Sequence, residues 1–256
     1  MVVERPPQLG NAAEFHSQQD DVFGRIADRY DLLCDLFSFG IHRLWKGRVA
    51  ALIAREPWFH LLDCAAGTGD IVLRILRHKG PQDGQLIIVS DISPQMLAVA
   101  RKRLDSKTAY VEFRLLDAQS MPSIPAESID IYSISLGLKI CDRGQVLREA
   151  MRVLRPGGRF VSLEGSNIVW PWLHRIYLLY MSACIPIIGW AATGGDASAY
   201  KYLLKGIRGF PSAEQLAKEL ASAGFENISF ERLSLGIAAI HVARKPVPLP
   251  RPMRSV

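Results

Sequence analysis

Cysteine is scarce in this sequence and none of it is paired. The four cysteines, Cys34, Cys64, Cys141 and Cys184, are far apart and form no Cys-x-x-Cys pair. A zinc site and a disulfide framework are both disfavoured, so we expect no metal and a reduced, cytoplasmic setting. Residues 1–20 are polar, lack the apolar core of a signal peptide and are predicted to be disordered.

A long uncharged apolar run is also missing. The stretch from Ile168 to Thr193 approaches the roughly 20 apolar residues that a membrane-spanning helix needs. Pro171, Pro186 and the pair His174–Arg175 interrupt it. We therefore predict two short helices that are buried or lie against a membrane surface.

The basic charge is too thinly spread to indicate a nucleic-acid partner. The formal net charge is +6, and no basic stripe interleaved with aromatic residues occurs along the chain. We therefore expect no nucleic acid. Positive charge does gather in the proline-spaced end "RKPVPLPRPMRSV", of which residues 246–256 are predicted to be a disordered basic tail.

Alternating strand and helix patterns fill the rest of the chain. Five apolar strand-like segments are separated by amphipathic helical segments, and two further strands near the end have only a short connection between them. This order predicts one α/β domain over residues 21–245, built on a doubly wound, seven-stranded and mostly parallel sheet. The last two strands should pair antiparallel at one edge.

The segment "LLDCAAGTGD" ends the first strand and raises the question of its ligand. A phosphate, a dinucleotide and a sulfonium cofactor all bind such loops. No Lys-Ser/Thr follows Gly67 and Gly69, which excludes a P-loop, and Val72 stands where a dinucleotide site has its third glycine. Asp63 and Asp70 would repel a pyrophosphate. The acids instead suit S-adenosylmethionine, which has an ammonium group, a sulfonium and no phosphate.

Acidic residues after the next two strands support the same ligand. Asp63 could attract the ammonium, Asp91 could accept hydrogen bonds from both ribose hydroxyls, and Asp117 could accept one from the adenine amino group. Each acid alone is more often a helix cap than a ligand contact, but three after three successive strands favour the cofactor. The predicted donor-binding residues are Asp63, Ala65, Gly67, Thr68, Gly69, Asp91, Ile92, Asp117, Ala118 and Ser135.

Two longer segments resemble the signatures of a known family. "YDLLCDLFSFGIHRLW" and "RVLRPGGRFVSLEGS" are similar to those of the ubiquinone/menaquinone biosynthesis C-methyltransferases (UbiE/MenG), and the resemblance runs from about Val22 to Lys245. It implies a Rossmann-like class I methyltransferase with a helical cap formed by residues 21–57 and by an insertion, residues 166–210. Carried over by position, the family's donor contacts fall on Thr68, Asp91, Asp117, Ala118 and Ser135.

The resemblance also implies a methyl acceptor, a lipophilic quinol precursor methylated on a ring carbon. Such a ring must gain phenolate character, which calls for a cation or a proton acceptor near its oxygen. Lys139 and Tyr30 are the candidate catalytic residues. The implied setting is the inner face of a membrane, with peripheral association and a homodimer as further expectations.

The acceptor side is where the sequence departs from the family pattern. Lys139 and Ile140 replace an arginine and an asparagine, Cys34 replaces an asparagine, and Gly165 replaces a bulky apolar residue. Lys139 could stabilise a phenolate as a point charge, although it lacks the planar fork of arginine. Two alternatives therefore stay open: a methyltransferase for a phospholipid amine or secondary metabolite, and a non-catalytic scaffold subunit.

Overall fold

Short apolar segments form the strands and amphipathic segments form the helices between them. The computed structural model describes residues 30–78, 80, 82–104, 110–193 and 209–248. The strands are β1 His60–Cys64, β2 Leu86–Asp91, β3 Val111–Leu115, β4 Ile129–Ser135, β5 Leu154–Gly165, β6 Glu226–Leu233 and β7 Ala238–Arg244. The α-helices are α1 Tyr30–Ser38, α2 Ile41–Ala54, α3 Asp70–His78, α4 Pro94–Leu104, α5 Arg143–Val153, α6 Pro171–Thr193 and α7 Ala213–Ser222.

The strands form one seven-stranded sheet in the order β3-β2-β1-β4-β5-β7-β6. Strands β1 to β5 are parallel to their neighbours in that group. Strand β7 runs antiparallel to both β5 and β6. The predicted doubly wound sheet and its antiparallel last pair are confirmed. Because β2 and β4 flank β1 on opposite sides, the strand order reverses between β1 and β4, which is where ligands bind such sheets.

Helices cover both faces of the sheet with apolar side chains. On one face, α5 and α7 pack over the buried ring of Phe160, whose centroid lies 5.6 Å from that of Tyr132 and 5.4 Å from that of Phe225. On the other face, α2, α3 and α4 contribute buried residues such as Ile53 and Ile75. The two layers fix the carboxyl ends of β1, β2 and β4 relative to one another.

Local signals explain where α4 begins. Pro94 occupies the first helical position, and the Ser93 hydroxyl accepts a hydrogen bond from the Met96 N–H at 3.3 Å. The side chain thus satisfies a backbone donor that the first helical turn leaves free, as the sequence predicted.

The described part of the helical cap consists of α1, α2 and α6. Phe39 and Gly40, with φ of 51° and 74°, separate α1 from α2. Helix α1 packs against α6, where the Phe39 ring stacks on Tyr180 at 6.0 Å, and α2 packs against α3. The predicted disordered N-terminus, residues 1–20, lies outside the described residues, as do residues 21–29 and 194–208 of the predicted cap. The predicted basic tail is described only as far as residue 248.

The prediction of two short helices between Ile168 and Thr193 is wrong. A single helix, α6, runs from Pro171 to Thr193. Pro171 lies at the helix start, where its missing N–H costs nothing, and an interior proline removes one backbone hydrogen bond without ending a long apolar helix. Within the part of the chain that the structure describes, no helix is both long and apolar enough to cross a membrane.

Candidate active site

Two adjoining cavities open at the carboxyl ends of β1, β2 and β4. The larger spans about 790 Å³ and the smaller about 370 Å³ when the space open to solvent is included. The two cavities share four lining residues at the β1–β4 switch point: Ala65, Gly67, Ser135 and Leu136. A ligand that passes between these residues would reach both cavities.

Asp91 is held rigidly at the wall of the larger cavity. Its carboxylate accepts hydrogen bonds from the Gly67 N–H at 2.8 Å and the Ser93 N–H at 2.9 Å, one on each oxygen. Asp117, after β3, accepts a bond from the Gln119 N–H at 2.9 Å. These contacts place the two carboxylates, with Ile92 and Ala118, on one cavity wall, the arrangement predicted for the adenosyl half of the donor.

Asp63 lies on the other side of the switch point, in the smaller cavity. It is 1% exposed, and neither carboxylate oxygen makes a hydrogen bond of standard geometry among the described residues, although the nearby Ser133 side chain acts to lower its pKa. Burial raises the pKa of Asp63 to about 7. The ammonium of Lys46 lines the same cavity but lies 3.2 Å from the Asp70 carboxylate. A buried acid without a partner suits a ligand with a positive end, so the residues present fit the ammonium of S-adenosylmethionine.

Thr68 lines the smaller cavity, whereas Gly69 is not among the residues that line either cavity. The Thr68 hydroxyl donates to the Asp31 carboxylate at 3.0 Å and accepts from the Arg103 guanidinium at 2.9 Å. Arg103 also pairs with Asp31, so these three residues join α1 of the cap to the loop. Gly69, at φ 74°, packs against Ala100, and a Cβ there would come within 3.2 Å of the alanine methyl. The absence of a side chain at Gly69 therefore lets the start of α3 pack closely against α4.

Two residues without glycine's freedom adopt left-handed backbone at the switch point. Ala65 follows β1 with φ 48°, and Leu136 follows β4 with φ 59°. Both line both cavities. Non-glycine residues in this region cost on the order of 1–3 kcal/mol each and are concentrated at functional sites. The ends of these two central strands are thus held in a costly conformation where a ligand would be placed.

Lys139 lines the larger cavity from the turn after β4. We call residues 136–141 the acceptor turn. The buried Lys139 ammonium lies 3.6 Å from a carboxylate oxygen of Glu164 and donates a hydrogen bond to the Leu136 carbonyl. Ile140 and Cys141 line the cavity beside it. The structure therefore brings the predicted catalytic lysine close to the donor-binding wall.

Sequence reasoning missed several charged residues of the site. Glu164 is 1% exposed, and the only local sign of it is a carboxylate at the end of the apolar strand "RFVSLEG". Lys46, Asp31 and Arg103 give no local signal, because their partners lie on other elements. Tyr30 begins α1, but its side chain lies outside the described residues. No cluster of His, Cys, Asp and Glu that could hold a metal is found in the described ranges.

The sheet order, the switch-point cavities and the acids after three successive strands define a class I S-adenosylmethionine-dependent methyltransferase. The chain belongs to the ubiE/COQ5 methyltransferase family, whose model matches residues 12–245. The resemblance seen in the two signature segments is thereby confirmed, and so is S-adenosylmethionine as the cofactor.

Curated relatives match over most of their length. The ubiquinone/menaquinone biosynthesis C-methyltransferase UbiE of Acidiphilium cryptum (strain JF-5) is 41% identical over 224 residues, which cover 86% of this chain and 88% of the relative. The UbiE of Methylobacterium nodulans is 40% identical over 232 residues, covering 89% and 90%. The chain is therefore similar to these enzymes over most of its length.

Solved structures share the fold at much lower identity. An S-adenosylmethionine-dependent methyltransferase from Thermotoga maritima superposes with a TM-score of 0.63 at 20% identity, covering 88% of this chain and 99% of that one. The [4+2]-cyclase SpnF superposes with a TM-score of 0.57 at 22% identity, covering 79% and 81%. Since one neighbour is a cyclase, the fold alone does not define the reaction.

We expect the affinity for S-adenosylmethionine to rise by up to about tenfold as the pH increases from about 6 to about 8. The pKa of Asp63 is about 7, and pairing with the ligand's ammonium requires the ionised carboxylate. Binding below pH 7 should release a proton, which calorimetry in buffers of different ionisation enthalpy would measure.

Without ligand, the raised pKa of Asp63 has the opposite consequence for stability: the free energy of unfolding falls as the pH rises from about 4 through 7.

The matched control for this pH dependence is Asp63→Asn, which keeps the shape of the side chain but cannot ionise. We expect it to bind the donor more weakly and with little change between pH 6 and 8. An unchanged pH dependence in the variant would show that another group titrates.

Proposed function

We propose that this enzyme transfers a methyl group from S-adenosylmethionine to a ring carbon of a lipophilic quinol precursor of the ubiquinone or menaquinone type. The relatives at 40–41% identity bear the name of that activity. The single structural observation that carries the proposal is the Lys139 ammonium. It is the cation among the residues lining the larger cavity, which Asp91 and Asp117 also line.

The lysine suits an acceptor that develops negative charge. A quinol ring attacks through carbon only when its oxygen approaches a phenolate, and a buried ammonium stabilises that charge strongly. S-adenosylmethionine, when bound, supplies an electrophilic methyl group on sulfonium. The protein's own contribution is then to align the ring, exclude water and hold the phenolate oxygen.

The same lysine disfavours an amine as the acceptor. A protonated phospholipid amine would meet a like charge at Lys139, which raises the cost of binding it. A different acceptor nevertheless has one observation in its favour. A Cβ placed on Gly165 would meet nothing nearer than the Ile237 carbonyl oxygen, at 4.0 Å. This chain thus has space where the family pattern has a bulky side chain, and a secondary metabolite is the second candidate acceptor.

We also propose that the enzyme works at the inner, cytoplasmic face of a membrane, because its acceptor is lipophilic. Exposed apolar side chains of the described cap support this proposal: Leu32, Leu36, Phe39, Leu44, Trp172 and Leu179. Side chains of this kind on adjacent helices are suited to rest on a bilayer surface. A homodimer that covers the same face is the competing arrangement, which sedimentation velocity without lipid would detect.

We expect the purified enzyme to label a demethylated quinol, and not a lipid amine, when given methyl-labelled S-adenosylmethionine. The acceptors would be presented together in vesicles of phosphatidylglycerol and phosphatidylethanolamine that contain the reduced quinol. Chromatography and mass spectrometry would identify the labelled product, and the same mixture would show whether the protein sediments with the vesicles.

The control is vesicles without the quinol, which should give no labelled lipid. Label in phosphatidylethanolamine would overturn the proposed acceptor. Donor binding without any labelled product would favour a scaffold subunit, whereas the absence of donor binding would contradict the assigned cofactor.

A further inference from the structure

We propose that Glu164 is a positioning residue for methyl transfer: it holds the Lys139 ammonium and the acceptor turn in the geometry that receives the phenolate oxygen. The proposal rests on the proposed function, since it assigns how the acceptor half of that site is held in place. Glu164 itself is not among the residues that line the larger cavity, and so it acts through Lys139.

The Glu164 carboxylate contacts the acceptor turn at two points, by one hydrogen bond and by one ion pair. It stands near the end of β5, and one oxygen accepts a hydrogen bond from the Leu138 N–H at 2.6 Å. The other oxygen lies 3.6 Å from the Lys139 ammonium nitrogen. One side chain thereby fixes both the backbone of the turn and the position of its charge.

The geometry leaves the lysine one free donor for a ligand. An ammonium carries three N–H groups. One is directed to the Leu136 carbonyl and a second faces Glu164. For the third, no hydrogen-bond partner is found among the described residues, and Lys139 lines the larger cavity. A phenolate oxygen in the cavity could accept a hydrogen bond from this third N–H group.

Stability alone does not account for this ion pair. Glu164 and Lys139 have side chains that are only 1% and 8% exposed. The cost of removing two charges from water commonly equals or exceeds the attraction between them, and apolar replacements are often as stable. A glutamine could accept the Leu138 hydrogen bond without any charge. The carboxylate is therefore better explained by what it does for the ammonium.

Few other charges act on this pair. The Cys141 thiol lies on the same turn, and burial raises its pKa well above the ordinary value, so it stays neutral. The Arg143 guanidinium at the start of α5 interacts with Glu164 but forms its own ion pair with Glu219. Asp117 faces Cys141 from the donor wall. Lys139 is thus the cation nearest to the Glu164 carboxylate among the residues described here.

The chemical step that this geometry serves is balanced within the site. The acceptor's hydroxyl proton leaves to solvent, and the ring carbon of the resulting phenolate forms a bond to the methyl carbon while the methyl–sulfur bond breaks, with that electron pair staying on sulfur. The ring proton then leaves to solvent and restores aromaticity, and the phenolate oxygen regains a proton from solvent when the product departs, so no oxidant or reductant is needed. Lys139 stabilises the phenolate oxygen, and Glu164 holds the ammonium in place.

The test compares Glu164→Gln with the wild-type enzyme. We expect kcat to fall by on the order of 10–100-fold, because the ammonium loses its fixed position. The KM for the quinol and the Kd for S-adenosylmethionine, measured by calorimetry, should change less than about threefold, since the glutamine keeps the Leu138 hydrogen bond.

A double-mutant cycle separates positioning from general damage. Lys139→Met lowers kcat by itself, and adding Glu164→Gln should then change kcat by less than about threefold, because the lysine through which Glu164 acts is gone. The double variant also removes both buried charges, so it should remain folded by circular dichroism even if Glu164→Gln alone unfolds. An equal additional loss of kcat in the lysine-free background would overturn the proposal.

The proposed function and the positioning role fail in different ways. If the wild-type enzyme labels no quinol, the proposed acceptor is wrong. If the wild-type enzyme labels the quinol and Glu164→Gln keeps full kcat, only the positioning role is wrong.

Discussion

Asp91→Ala is expected to weaken S-adenosylmethionine binding by on the order of 100-fold or more. A hydrogen bond to a charged acceptor contributes about 1.5–3 kcal/mol, and Asp91 is predicted to accept one from each ribose hydroxyl. The substitution also releases the N–H groups of Gly67 and Ser93, which the carboxylate now holds in place. Calorimetry with the donor alone measures this effect without any assumption about the acceptor.

Asp130 offers a matched control at the other end of the sheet. Its carboxylate also accepts two backbone hydrogen bonds, from the Phe59 and His60 N–H groups at 2.9 and 2.8 Å. It lies near the start of β4, away from the carboxyl end where Ser135 lines the cavities. Asp130→Ala should therefore lower thermal stability but leave the donor Kd within about twofold. Equal loss of binding in both variants would contradict a specific role for Asp91.

Gly137→Ala is expected to lower kcat by on the order of 100-fold, although it adds only one methyl group. A Cβ at Gly137 would lie 2.6 Å from the Cβ of Ala65 and 3.2 Å from a side-chain carbon of Ile134. The acceptor turn would then have to move away from the loop after β1. Methyl transfer is an in-line displacement, so a shift of about 1 Å between donor and acceptor is costly.

A second substitution should reverse most of that loss. Ala65→Gly removes the methyl group that the new Cβ would strike, and it relieves the left-handed backbone of Ala65. The pair Gly137→Ala with Ala65→Gly should therefore recover kcat to within about tenfold of the wild type. Gly209→Ala is the control, because a Cβ there meets nothing within 4 Å, and it should leave kcat unchanged. A double variant as inactive as Gly137→Ala would show that the contact with Ala65 is not the cause.

Local patterns in the sequence predicted much of the donor side of the site. A carboxylate directly after a buried strand must lie at the carboxyl edge of a parallel sheet, so the positions of Asp63, Asp91 and Asp117 follow from the strand pattern alone. Ser93 and Pro94 likewise predicted the start of α4 from adjacent residues. The individual donor contacts remain predictions, and the variants described above test two of them.

The parts of the site that escaped prediction depend on contacts between distant elements. Asp31 pairs with Arg103, which lies 72 positions later in the chain. Lys139, after β4, forms its ion pair with Glu164, on β5. No local periodicity encodes such partners. For the same reason Thr68, predicted to face the donor, has a hydroxyl bonded to two side chains from other helices.

The prediction of two short helices in place of the single cap helix α6 was wrong for a different physical reason. The prolines and charged residues between Ile168 and Thr193 predict an interruption of the helix, yet the effect of a proline on a helix depends on its position in it. At Pro171 it begins the helix, where it is favourable, and only tertiary packing shows that the helix then continues. A sequence pattern can thus indicate that a segment is apolar without fixing how many helices it forms.

The central place of β1 and β4 in the sheet has a consequence for how the protein opens. Each of these strands is hydrogen-bonded to neighbours on both sides and covered by helices on both faces. We expect their backbone amides to exchange with solvent hydrogen only when the whole sheet unfolds. Opening the carboxyl ends of β1 and β4, which form the floor of the site, would then cost the full free energy of unfolding. Helix α1 is attached by fewer contacts at the surface and can detach at lower cost. Substrate entry can therefore proceed by partial unfolding at the rim while the binding floor stays intact.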